Sequence, residues 1–187
     1  DIVLAYFNHR IRPAEELAEE MAFIRTLAAE KNLELHIGED AGEIERDSVS
    51  LGVECAARKA RYSFFHSLLE KTGCRYLALA HNLDDTVETI VMRFFKGSGL
   101  SGLRGIPSVR GHIIRPLSGC PKKTILQFLS ENNIPFSIDK TNYGTDYLRN
   151  RVRNILIPQI EEIFPSYAKA VTEFGEKVSC ADDFIKA

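Results

Sequence analysis

The chain has 187 residues, of which 44% are hydrophobic and 27% charged, ordinary values for a globular protein and enough length for one α/β domain with a sizeable core. No stretch approaches the roughly 20 apolar residues of a membrane span, and Asp1–Ala5 lacks the basic start of a secretory signal, so a cytosolic protein is the default expectation. The net charge of −2 conceals a segregation: residues 1–50 carry twelve Asp/Glu against five Lys/Arg, whereas residues 89–130 carry seven bases and no acid.

Ile2–Phe7 is a short apolar run without helical period and is expected to be a buried strand. Pro13 then opens a helix over Ala14–Lys31, with Leu17, Met21, Ile24, Leu27 and Ala28 on one stripe. Asn32 ends it, and Leu33–Ile37 is a second strand. The polar stretch Gly38–Val49 reads as a loop. Ser50 is placed to cap a helix reaching Lys71, with Ala57, Ala60, Phe64, Leu68 and Leu69 inward and Gly73 just past its end. Arg75–Ala80 is a third strand and Asp84–Lys96 a third helix. A glycine-rich loop, Gly97–Gly105, follows it. A strand at His112–Arg115, a helix over Lys122–Asn132 and an extended piece at Phe136–Ile138 complete the α/β part. Tyr147–Ala187 reads as two helices broken at Pro165.

Strands alternating with helices predict a parallel, doubly wound sheet, whose ligands bind at the carboxyl ends of the strands beside helix N-termini. The expected division is an α/β domain over 1–140 and a helical extension over 141–187. Two strand ends therefore attract attention: Asn8-His9-Arg10 after the first strand and His81-Asn82 after the third.

The segment His81–Glu88 places two carboxylates together. At 100° per residue Asp85 and Glu88 lie about 60° apart on the helix, with Met92 between them and Val87, Ile90, Val91 and Phe94 on the other side. Such a pair can hold an ammonium group, or magnesium on phosphate oxygens; equally, acids in a first turn can simply complement the helix dipole. Arg58 and Arg61 share a face of the Ser50–Lys71 helix, where a guanidinium can neutralise a transferring phosphate or close a salt bridge. Arg149, Arg151 and Arg153 alternate, so on a helix at least one must turn inward, where it suits a carboxylate or phosphate. The basic stretch and this cluster suggest a polyanion partner met by one side of the molecule. Cys55, Cys74, Cys120 and Cys180 are scattered, without a C-x-x-C pair, and are expected to be reduced and mostly buried. They and the five histidines lack metal-ligand spacing, so no protein-held metal is expected.

Several segments, in this order, resemble the PP-loop tRNA(Ile)-lysidine synthetase family: Tyr6–Arg12, Ala56–Tyr62, His81–Glu88, Arg93–Leu100, Arg115–Leu117 and Asn142–Arg153. The resemblance runs from the first residue to about Pro165 and implies a Rossmann-like sheet of the adenine-nucleotide alpha-hydrolase type. It also implies a reaction: ATP adenylates the C2 oxygen of the wobble cytidine in tRNA(Ile) with a CAU anticodon, and free L-lysine then attacks C2 and expels AMP. Carried onto matching positions, it makes Arg61 and His81 partners of the adenylation step, and has Asp85, Glu88, Asn142 and Arg153 hold the lysine. Asn8, His9 and Asn82 become nucleotide-binding candidates, with Mg2+ accompanying ATP. Arg104, Lys122, Lys123, Arg149 and Arg151 become tRNA-binding candidates, and the resemblance leaves room for a homodimer.

One departure stands out. The family opens with a strand and a serine- and glycine-rich phosphate loop ending in Asp-Ser, and no such sequence occurs here. That strand belongs between those matched by Ile2–Phe7 and Arg75–Ala80, so a strand-loop-helix unit of roughly 30 residues is expected to precede Asp1. As it stands the chain is expected to bind pyrophosphate poorly. Further C-terminal tRNA-binding domains are common in the family. The alternatives are a PP-loop tRNA thiolase and a tRNA-binding module without catalysis. The first commonly uses paired cysteines that are not obvious here, and the second has no need of Arg61, His81, Asp85 and Glu88 together.

Overall fold

The computed structural model describes residues 2–10, 13–137 and 148–186. It forms two compact units, Asp1–Leu77 and Ala78–Ala187.

In the first unit, β1 (Val3–Asn8) and β2 (Glu34–Glu39) pair in parallel, with Val3 opposite Glu34 and Asn8 opposite Glu39. The crossover between them is α1 (Ala14–Glu30), started by Pro13, whose missing N–H costs nothing at a helix entrance. Asn32 takes a left-handed φ of 51°, which asparagine tolerates, and turns the chain into β2.

The stretch expected to be a loop contains a helix, α2 (Glu43–Leu51). Asp40 makes it possible. Its Oδ1 accepts from the backbone N–H of Glu43 (3.1 Å) and Ile44 (3.2 Å), and its Oδ2 from that of Gly42 (3.1 Å). Ile44, 5% exposed, is the helix's apolar anchor; one buried side chain is too little periodicity to announce a helix. Ser50 lies inside α2, and the long helix α3 (Val53–Thr72) starts after Gly52, which takes φ 78° at the junction. The buried face of α3 is Ala56, Ala60 and Phe65, shifted from the expected stripe, with Ala57 and Phe64 partly covered. Phe7, Ile44, Ala56 and Ala60 form the core of this unit.

The second unit begins within β3 (Leu77–Ala78) and continues with α4 (Leu83–Phe95), α5 (Leu100–Leu103), β4 (Val109–Arg110), β5 (Ile113–Ile114) and α6 (Lys122–Glu131). The glycine-rich loop thus carries a short helix. Strand order is β3-β5-β4, and β4 and β5 pair antiparallel through a two-residue turn at Gly111 (φ 58°). The described strands therefore form two short sheets rather than one long parallel sheet. No strand forms at Phe136–Ser137, and Ile138 lies outside the described residues.

The C-terminal part runs as α7 (Leu148–Arg151), a π-helical turn (Val152–Leu156), α8 (Ile157–Ile163) and α9 (Tyr167–Lys186), with the expected break at Pro165. Pro158 explains the wide turn. It has no N–H to give to the preceding turn and its ring crowds the carbonyl four residues back, and Ile157 N–H instead reaches Val152 O. Val87, Val91 and Val152 form the buried core here, flanked by Met92, Leu156, Ile157, Ile160, Tyr167, Ala168 and Val171. Phe94, expected on the buried side of α4, is 58% exposed. All four cysteines are free, but Cys55 and Cys180 are exposed and Cys74 and Cys120 half-buried, so the expected burial does not occur. No described helix is long and apolar enough to cross a membrane.

Candidate functional site

The N-terminus of α4 is locked by a reciprocal cap. Asn82 Oδ1 accepts from Asp85 N–H (3.1 Å) and Asp85 Oδ2 accepts from Asn82 N–H (3.0 Å). This leaves Asp85 Oδ1 free to point elsewhere, and it accepts from Arg149 Nη2 (2.9 Å) and Arg153 Nη2 (3.2 Å). One turn later Glu88 accepts from Arg153 Nε (2.5 Å) and Nη2 (2.8 Å), and from Arg149 Nε (3.1 Å). Two carboxylates and two guanidiniums thus interlock, and their formal charges cancel. Glu88 is only 3% exposed, which is tolerable because three charge-assisted hydrogen bonds replace its water. Hydrogen bonding to Glu88 first, and the charges of Glu88, Asp85 and Asp84 as well, raise the pKa of Arg153 against the opposing pull of burial.

Beside this cluster lies a cleft of about 360 Å³. Glu88 and Arg153 line it together with Asp84, Lys123, Glu161 and Tyr167, and Leu83, Val87 and Ile157 give it apolar walls. Asp84 Oδ2 accepts from the backbone N–H of Lys122 (2.7 Å), which ties α4 to the start of α6. The Tyr167 phenol has its pKa raised by burial and then by Glu161, Asp84 and Glu88, a sign that the cleft is negative around it. A small molecule with a cationic head and an aliphatic stem matches such a lining.

The expected pairing of Asp85 with Glu88 is therefore present, and Arg153 is the arginine that turns inward. Arg149 turns inward as well, although it was assigned to the polyanion face. Its spacing of four from Arg153 carries the signal, since residues four apart share a helix face whereas Arg151 points away. Arg151, Lys122 and Lys123 are exposed. Arg104 is spent on Asp182 (3.0 Å) and Asp183 (2.7 Å), far along the chain. Asn82 is occupied as a cap. His81 is half-buried one residue before that cap. Asn142 lies outside the described residues. Asp84, Glu161 and Tyr167 line the cleft without having been singled out by the sequence: Asp84 stands in a first turn, where acids are ordinary, and nothing in the local pattern of the other two points to a cleft.

In the first unit, Asn8 is buried and its Oδ1 accepts from Arg10 N–H (2.8 Å), a tight turn at the carboxyl end of β1 that also gives Arg10 its left-handed φ of 54°. The His9 ring packs edge-on to Phe7 with centroids 5.0 Å apart. Arg61 is half-buried on α3, and no carboxylate among the described residues pairs with it. Burial lowers its pKa, Tyr62 partly offsets that, and Arg58 adds to it. Arg58 itself stacks over Tyr62 at 4.7 Å. An arginine desolvated without a counter-charge is suited to an incoming anion.

The PP-loop domain family matches residues 1–160. The chain belongs to the PP-loop family. Relatives of this PP-loop chain include the tRNA(Ile)-lysidine synthase of Borreliella afzelii, 46% identical over 178 residues, which cover 94% of this chain and 40% of that protein. The tRNA(Ile)-lysidine synthase of Thermosipho africanus is 40% identical, over 99% of this chain and 43% of its own length. That of Bacillus subtilis is 32% identical, over 100% of this chain and 40% of its own. The chain thus spans about two fifths of the length of the curated relatives it matches. Among solved structures, the U34-tRNA thiolase NcsA from Methanococcus maripaludis with its [4Fe-4S] cluster aligns with a TM-score of 0.72, at 17% identity, over 95% of this chain and 62% of that one. At that identity the likeness concerns the PP-loop fold.

Proposed function

We propose that this chain is the catalytic core of a tRNA(Ile)-lysidine synthase. In this reading ATP and L-lysine convert the wobble cytidine of tRNA(Ile) with a CAU anticodon to lysidine, giving AMP and pyrophosphate. The C2 oxygen of the cytidine attacks the α-phosphorus of ATP and pyrophosphate leaves. The lysine Nε then bonds to C2, the C2–O bond breaks with AMP as leaving group, and Nε loses its protons to solvent or a nearby base. The observation that carries the reading is the Asp85–Glu88 pair, whose Glu88 lines a cleft together with Asp84 and Glu161, in a chain whose relatives over nearly its whole length are named lysidine synthases.

The chemistry of lysine fits these residues. Its ammonium suits Asp85 and Glu88, its carboxylate suits Arg153, and its four-carbon stem suits Leu83, Val87 and Ile157. Asn142 belongs to the same set by resemblance. Arg61 is assigned to the phosphates of ATP during adenylation, supported by its burial without a carboxylate. His81 is assigned to that step by resemblance, and Asn8 and His9 to the nucleotide. Magnesium would enter with the ATP phosphates. Among the described residues no group of three or more His, Cys, Asp or Glu side chains is placed to hold a metal ion, and Asp85 and Glu88 face guanidiniums. Arg151, Lys122 and Lys123 are the exposed cations available to tRNA phosphates.

The test incubates the protein with ATP, lysine and unmodified isoleucine tRNA, followed by mass analysis of the wobble nucleoside. A lysine adduct is expected. A sulfur adduct in the presence of a sulfur donor, or no product at all, would overturn the assignment.

A further inference from the structure

The carboxylates assigned to a substrate ammonium are already satisfied within the chain, and not by one arginine but by two. The two guanidiniums are not equivalent. Arg153 binds Glu88 through both Nε (2.5 Å) and Nη2 (2.8 Å), is 24% exposed and lines the cleft. Arg149 gives single hydrogen bonds, one to Glu88 (3.1 Å) and one to Asp85 (2.9 Å), is 34% exposed and does not line the cleft. It sits on the four-residue helix α7.

We infer that Arg149 is an internal stand-in for the cationic substrate, docked on Asp85 and Glu88 until an ammonium group displaces it. The inference rests on the lysine reading of this site. Occupancy of the carboxylates supports it. All four oxygens of Asp85 and Glu88 already accept hydrogen bonds within the chain, so an ammonium arriving there displaces a guanidinium. Arg149, the more exposed and more weakly held, is the one to withdraw, while bidentate Arg153 stays in place. Docked Arg149 also adds one charge-assisted hydrogen bond to each carboxylate when lysine is absent. The consequence for affinity is a population effect: only molecules with Arg149 withdrawn accept the ammonium, so the apparent dissociation constant is raised by the reciprocal of that fraction.

The experiment measures L-lysine binding by calorimetry to the wild type and to Arg149→Met, which keeps the aliphatic stem without the charge. Lysine should bind Arg149→Met more tightly, by about fivefold if Arg149 is withdrawn in about a fifth of wild-type molecules. Loss of a direct ligand or damage to the fold would weaken binding instead. Equal or weaker binding to the variant, with the wild type binding lysine, overturns the stand-in while leaving the lysine reading intact. Absence of binding in both proteins overturns the two together. Should Arg149→Met not fold, Arg149→Gln decides: it too carries no charge to compete with the substrate ammonium, so binding tighter than wild type is again expected and equal or weaker binding refutes.

Discussion

Glu88→Gln removes one charge from the interlocked cluster and almost no volume. Glu88 accepts three guanidinium hydrogen bonds and is 3% exposed, so the variant leaves two arginines facing Asp85 alone. Breaking a fully buried ion pair costs about 3–5 kcal/mol, and an exposed pair under about 1 kcal/mol. The arginine side chains here keep 24% and 34% of their exposure, which allows them partial rehydration. An intermediate cost of about 2 kcal/mol follows. For a chain of this length that lowers Tm by about 4–8 °C. The same carboxylate is assigned to the substrate ammonium, and a charge-assisted contact worth about 2 kcal/mol corresponds to about a thirtyfold rise in the lysine dissociation constant. Thermal denaturation, lysine calorimetry and tRNA binding on the same preparation separate the two effects. Unchanged Tm and unchanged lysine affinity would refute the reasoning outright. Equal loss of lysine and tRNA binding would make Glu88 a structural residue only.

Arg61→Met should leave Tm unchanged or raise it, because a half-buried guanidinium without a carboxylate is removed, while adenylation slows by about a hundredfold; a lower Tm with normal adenylation contradicts this. Asp182, whose pKa is held down at about 2 by hydrogen bonds from Lys186, Ser101 and Arg104, joins α9 to α5. Its folded pKa is below the ordinary 3.8, so its contribution is complete above that value and disappears as pH falls from about 4 to about 2. Hydrogen exchange along α9 should rise across that window in the wild type, and Asp182→Asn should show the higher exchange already at neutral pH. Gly105→Ala should cost about 2–4 kcal/mol in urea denaturation, because φ is 78° and the new Cβ would sit 2.8 Å from Thr86 Cγ2 and 3.1 Å from Ile90 Cδ1.

Much of this protein is written in local pattern. The apolar period of α1, the acids at Asp85 and Glu88 and the break at Pro165 each depend on neighbours within a few residues, and periodicity reports such neighbours directly. The carboxylate pair was legible for that reason: three residues along a helix leave two side chains on one face whatever surrounds them. The helix α2 was not, because its start depends on the side chain of Asp40 and its anchoring on the single buried Ile44.

Long-range pairing decided the rest. Which arginine meets Glu88 depends on how α7 and the π-helical turn pack on α4, more than 60 residues away in the chain. Arg104 looked like a cation for a polyanion until Asp182 and Asp183, near the other end of the unit, were found beside it. Residue types state which charges exist; only the folded chain determines which of them cancel and which are left for a ligand. That is a matter of distance and of water excluded between them, and neither is a property of adjacent letters.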